Sequence, residues 1–134
     1  MTNALLSIGE LAAQSGLTTH TLRYYEQAGV LQPAARAPNG HRRYRADDLA
    51  WLAFVMRLKD TGMPLAEIRR YAQLRAKGAS TTAARLALLE AHRERLAARM
   101  KTLAQSQAAL EDKIGHYRKV LGRSSARQRP RTTK

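Results

Sequence analysis

The 134-residue chain has no cysteine. That excludes a disulfide framework, a thiolate metal site and a thiol redox switch. Acidic residues are scarce, 10 Asp+Glu against 24 Lys+Arg, leaving a formal net charge of +14. No apolar run approaches the ~18 residues that span a bilayer. The opening residues, MTNALLSIGE, have no basic n-region and no long h-region, so no signal peptide is expected. The expectation is a soluble cytoplasmic protein with no membrane contact. The positive excess points to polyanions, nucleic acid first and an anionic membrane surface second.

What is present fits one average domain, or one small domain with an extension. Apolar residues make up 44% and charged residues 25%, so the chain can fold around a core. The charge is spread unevenly. Residues 1–78 carry 11 basic and 6 acidic residues, and residues 79–134 carry 13 and 4. The last twelve, RSSARQRPRTTK, hold five basic residues and no acidic one, and read as a disordered basic tail over 123–134. Most of the excess lies outside the N-terminal half, so charge alone does not locate a binding site.

Ser7-Ile8-Gly9-Glu10 has the form of a capping box. Ile8, Leu11 and Ala12 then follow helical spacing, and Gly16 stops this short helix. Thr18 is a good N-cap for a second helix over about 19–28, closed by Gly29. Two short helices around a glycine turn follow the helix-turn-helix plan. Ala12 must be small where the helices cross, Gly16 makes the turn, and Leu22 plugs the second helix into the core.

Pro33, Pro38 and Asn39-Gly40 interrupt any helix. Asn-Gly signals a hairpin, followed by the short basic strand His41-Arg42-Arg43-Tyr44-Arg45. Directly after a helix-turn-helix, a basic hairpin reads as a wing on the phosphate backbone. Asp47 or Asp48 would cap a third helix over 47–61, ended by Gly62. Pro64 opens a fourth, over about 64–76, which Gly78 closes.

One long helix is expected over 81–121. Leu89, Leu96, Leu103, Leu110 and Tyr117 recur every seven residues. Leu86, Met100, Ile114 and Leu121 fall on the other seam position, interrupted by Arg93 and Gln107. This is an a/d heptad pattern. A rod of about 60 Å cannot bury its own seam, so the seam calls for a partner. Leu89, Leu96, Met100, Leu103, Leu110, Ile114 and Tyr117 are therefore the expected dimerisation residues. The expected fold class is mainly α: an N-terminal winged helix-turn-helix over 1–78, with a small β-hairpin wing, then a dimerising coiled-coil helix over 79–122.

Three segments carry a resemblance: SIGELAAQSGLTTHTLRYYEQAGVL, NGHRRYRADDL and LKDTGMPLAEIR. In this order, and followed by a long helix, they resemble the MerR family of bacterial transcriptional regulators. His41 departs from the family's usual Tyr or Phe before the arginine. The resemblance implies a homodimer held by an antiparallel coiled coil. It also implies a winged helix on each half of a pseudo-palindromic promoter operator, and RNA polymerase as a further partner. Family members bend and untwist a promoter with an over-long spacer, a readout by deformation.

Thr18, Thr19, His20 and Arg23 open the second helix and would face the major groove of double-stranded DNA. Arg23 is the best candidate for a guanine or phosphate contact. Tyr24 and Tyr25 match the family's paired tyrosines, one expected on phosphate and one mostly buried. Arg42, Arg43 and Tyr44 in the wing, and Lys59 in the third helix, are expected on the DNA backbone; Arg57 is as readily a solvated residue.

Metal-sensing members use cysteines near the end of the long helix, and this chain has none. His20, His41, His92 and His116 show no ligand spacing, and each is expected at the surface or facing DNA. No cofactor is expected. A different trigger, a noncovalent small effector, or none, remains. The competing readings are an effector-independent architectural or excisionase-like DNA-bending protein and, more distantly, a membrane-surface binder. There is no nucleophile–base spacing and no glycine-rich phosphate loop, so no enzyme is expected.

Overall fold

A computed structural model of the chain describes residues 5–33, 35–36 and 38–128, with residues 42 and 126–128 described along the backbone only. The element order is β1 (Leu6–Ser7), α1 (Ile8–Ser15), α2 (Thr19–Gln27), β2 (Ala35–Arg36), β3 (Arg42–Tyr44), α3 (Asp47–Asp60), α4 (Leu65–Ala76), a 3-10 turn (Ala79–Thr81) and α5 (Thr82–Gln128). The chain divides into two compact units, Met1–Arg93 and Glu94–Lys134. The first turns of α5 therefore belong to the N-terminal unit.

That unit starts with the expected capping box. The Glu10 N–H donates to Ser7 Oγ at 3.1 Å, and the Ser7 N–H donates to Glu10 Oε1 at 3.1 Å. Gly16 takes φ +77 and its N–H donates to the Ala12 carbonyl. The left-handed conformation is open to glycine at no steric cost, so the chain turns sharply into α2. Thr18 caps α2 through its hydroxyl, which accepts from the Thr21 N–H.

The sheet is antiparallel in the order β1-β3-β2. Leu6 pairs with Tyr44 and Ser7 with Arg43, while Ala35 pairs with Arg43 and Arg36 with Arg42. The strand that leads into α1 was not expected; two residues are too short for an alternation pattern to show. The Asn39-Gly40 turn is as expected, with Gly40 at φ +83.

Leu11, Leu22, Leu31, Tyr44, Leu52 and Val55 are the largest fully buried side chains. Each buried aliphatic side chain here contributes roughly 1.5–3 kcal/mol relative to exposure. A second layer joins α3 to α4. Trp51 stacks on Tyr71 with ring centroids 5.7 Å apart, Phe54 lies 5.6 Å from Tyr71, and the Arg75 guanidinium sits 4.5 Å over the Trp51 ring. The Trp51 indole N–H donates to the Val30 carbonyl at 2.8 Å, and Arg69 Nε donates to the Ala28 carbonyl at 2.7 Å. These two bonds tie the end of α2 to the aromatic layer.

Four expectations need correction. No Asp side chain caps α3: its N-cap is Ala46, with no side-chain cap bond. Asp48 is buried and reaches back, accepting from the Arg45 N–H at 3.0 Å. The third helix ends one residue early because Thr61 takes the C-cap and its hydroxyl donates to the Arg57 carbonyl. The last helix runs to Gln128, six residues into the segment expected to be disordered; residues 129–134 of that segment lie outside the described residues. Finally, His92 is buried rather than superficial, 7% exposed. Its ring lies beside Thr61 because α5 packs its first turns against the N-terminal unit's core.

Candidate DNA interface

Helix α2 sorts its side chains by period. Leu22 and Tyr25 are buried at 0% and 3%, while His20, Arg23, Tyr24 and Gln27 are exposed. Those four stand at i, i+3, i+4 and i+7, a single face of the helix. Of the residues expected to face a groove, His20 and Arg23 are on this face. Thr18 is exposed but its hydroxyl is committed, accepting from the Thr21 N–H and donating to Thr21 Oγ1 at 2.9 Å. Thr19 is half-buried.

The paired tyrosines divide as expected. Tyr24 is 50% exposed, whereas Tyr25 is packed in the core with its hydroxyl donating to Met56 Sδ at 3.7 Å. Tyr44 corrects the sequence reading. It is fully buried, and its hydroxyl donates to Glu26 Oε1. The reason is its place on the central strand: β3 alternates, so Tyr44 points to the face opposite Arg43, and that face packs on the core. Tyr44 thus ties β3 to α2 and does not reach a phosphate. Tyr25 likewise acts from within the core.

Arg43 is half-buried in the middle strand. Its charge bears on Glu10, whose carboxyl lies below the usual range because the Ser7 N–H and hydroxyl bond to it, with Arg43 adding to the effect. The Arg42 side chain lies outside the described residues. Lys59 and Arg57 are exposed on the last turn of α3.

One residue was missed. Arg36 stands on β2, the other strand of the wing, and is exposed. Two open clefts of about 290 Å³ each adjoin it. The first is lined by Ser7, Ile8, Arg23, Arg36, Gly40 and His41. The second includes Arg23, Glu26 and Arg36. Arg23 of the second helix and Arg36 of the wing thus border the same two clefts. The available signal was the hairpin itself: Asn-Gly demands a strand before it as well as after it.

On α5, Leu89 packs against the N-terminal unit's own core and is only half-buried, so it is not purely a seam residue. Leu96 is half-buried, while Met100, Leu103, Leu110, Ile114 and Tyr117 are exposed. The described residues contain no group of His, Cys, Asp or Glu able to hold a metal ion, and no helix long and apolar enough to cross a membrane.

Comparison with known proteins decides the family. Residues 6–75 match the family described as MerR HTH family regulatory protein, and residues 49–113 match that described as MerR, DNA binding. The chain belongs to the MerR family of transcriptional regulators. An HTH-type transcriptional regulator from Haemophilus influenzae is 34% identical to this MerR-family chain, over 81% of each. The regulator AdhR of Bacillus subtilis is 35% identical, over 68% of this chain and 65% of its own. The crystal structure of HiNmlR, a MerR family regulator lacking the sensor domain, bound to promoter DNA, aligns with a TM-score of 0.74 at 31% identity. That alignment covers 89% of this chain and 94% of HiNmlR. A MerR family regulator from Listeria monocytogenes aligns with a TM-score of 0.81 at 30% identity, covering 91% and 92%.

Proposed function

We propose that this MerR-family regulator binds a pseudo-palindromic promoter operator in double-stranded DNA as a homodimer and acts by bending and untwisting it. The observation that carries the reading is the exposed face of α2, with His20 and Arg23 on it and Arg36 of the wing beside Arg23. A helix face of this size fits a major groove, and a flanking guanidinium suits the adjacent phosphates. The likeness to a MerR regulator bound to promoter DNA supports the same conclusion. The dimer rests on the apolar heptad face of α5, which is exposed at Met100, Leu103, Leu110 and Ile114. The action is on DNA shape, with RNA polymerase as the beneficiary, in the cytoplasm and with no bond chemistry by the protein. Lacking cysteine, it cannot sense through a thiolate, and any effector acts by other chemistry.

Footprinting across the promoters next to its gene tests this. The expected result is one protected palindrome inside a long promoter spacer, with a bend seen as position-dependent gel mobility. Uniform protection of any duplex would replace this reading with that of an architectural DNA-bending protein.

A further inference from the structure

The cysteine-free chain has four methionines, and their surroundings differ. Met63 is in the core at 4% exposure, Met100 is 61% exposed on α5, and Met1 lies outside the described residues. Met56 is half-buried on α3, and its sulfur accepts a hydrogen bond from the Tyr25 hydroxyl at 3.7 Å. Tyr25 is a buried residue of α2, the helix whose outer face carries His20 and Arg23. Met56 also lines a cleft of about 160 Å³ shared by Gln14, Ser15 and Leu17 on one side and Leu49, Leu52 and Ala53 of α3 on the other. Gln14 and Ala53 are exposed, so the cleft communicates with solvent. A water needs only about 10–15 Å³ of such space, so a molecule as small as a peroxide is admitted.

We propose that Met56 is a reversible oxidation site through which a peroxide-class oxidant loosens the protein's hold on DNA. This rests on the DNA-binding reading above and adds a trigger to it. The thioether sulfur attacks one oxygen of the peroxide. The S–O bond forms as the O–O bond breaks, and the sulfur gives up two electrons. The second oxygen leaves with both protons as water, and the side chain becomes methionine sulfoxide.

The new oxygen has no free place in the present packing. An O–H···O contact takes about 2.5–3.0 Å. Within the 3.7 Å between sulfur and the Tyr25 hydroxyl, that leaves less than an S–O bond. The oxygen therefore either displaces Tyr25 or turns toward the cleft, among Leu17, Leu49 and Leu52. The first moves the core anchor of α2. The second sets a strong acceptor among apolar side chains beside Leu17, in the turn that leads into α2. Both routes end at the helix that carries Arg23.

The test uses the full chain. Met100 is the more exposed sulfur and is removed as Met100→Leu in every protein compared. The proteins are treated with graded hydrogen peroxide. Oxygen uptake at each methionine is read by peptide mass spectrometry, and affinity by anisotropy on the promoter fragment that footprinting shows protected. The expected result is one added oxygen at Met56 and a loss of affinity of about tenfold, the equivalent of one unpaired buried polar group. The two methionine sulfoxide reductases, one for each epimer, should restore both, which shows that the treated protein has not simply unfolded. With Met56→Leu added, the same treatment should leave affinity unchanged. An unmodified Met56, an oxidised Met56 with full affinity, or equal losses with and without Met56→Leu would each overturn the proposal. A chain that binds no promoter fragment before treatment overturns the regulator reading itself.

Discussion

His92 Nε2 lies 2.7 Å from the Thr61 hydroxyl oxygen, joining the first turns of α5 to the end of α3 within the N-terminal unit. The Thr61 hydroxyl has carbonyl acceptors at Arg57, 2.9 Å away, and at Leu58, 3.1 Å away. Thr61 is thereby both the C-cap of α3 and the anchor of α5.

Replacing His92 by alanine removes this bond and empties a buried site. The expected loss is about 1–3 kcal/mol of unfolding free energy. Urea unfolding of His92→Ala measures it, and an unchanged midpoint at equal slope would rule out an anchoring role.

Asp48 carries a pH dependence. Burial pushes its carboxyl above the ordinary aspartate value, against the pull of the Arg45 N–H and the Arg75 charge. A group that holds its proton more tightly when folded favours folding at low pH, and that contribution is lost as pH rises through its folded value. Asp48→Asn keeps an acceptor for the Arg45 N–H and discards the charge. The stability of the variant relative to the parent is expected to be greater at neutral pH than in acid. A difference flat across that range, in denaturation at several pH values, would contradict the burial argument.

Gly16 tests the turn of the helix-turn-helix. A Cβ placed there meets nothing within 4 Å, so the cost of a side chain is conformational alone. Gly16→Ala should lose about 1–2 kcal/mol through the left-handed backbone. Gly16→Asn should lose less, because Asn tolerates that region better. Thermal unfolding compares the two; equal losses would point to some contact instead of backbone conformation.

Arg36 and Tyr44 separate contact from support in the wing. Arg36→Ala is expected to weaken binding to all sequences and lower the salt slope by about one unit. Tyr44→Phe removes the bond to Glu26 and should cost about 1 kcal/mol of stability with the salt slope unchanged. Fluorescence anisotropy with an operator duplex across a salt series distinguishes them. A slope altered by Tyr44→Phe and not by Arg36→Ala would reverse the assignment.

Much of this was legible in the chain. Ser7 and Glu10 close their box, Thr18 caps, Gly16 and Gly40 turn, and Leu22 is buried, because each depends on residues within a few positions of one another. The second-helix face was legible too: His20, Arg23 and Tyr24 follow from the helical period alone. Arg36 was not, because its significance lies in its closeness to Arg23 across an irregular loop. The roles of Tyr44 and His92 were hidden for the same reason, since their bonding partners are 18 and 31 residues away.

Local order is written in the chain itself: the helices, the Ser7 and Thr18 caps, the Asn-Gly turn and the seven-residue seam. These are set by backbone sterics and side-chain period within a few residues. Tertiary structure decided which members of each set are available. It drew Tyr44 and Tyr25 inward, left Arg36 and Arg23 at shared clefts, and turned His92 into an anchor. Burial is a property of packing between distant segments, and no local pattern encodes which polar group will find its partner there.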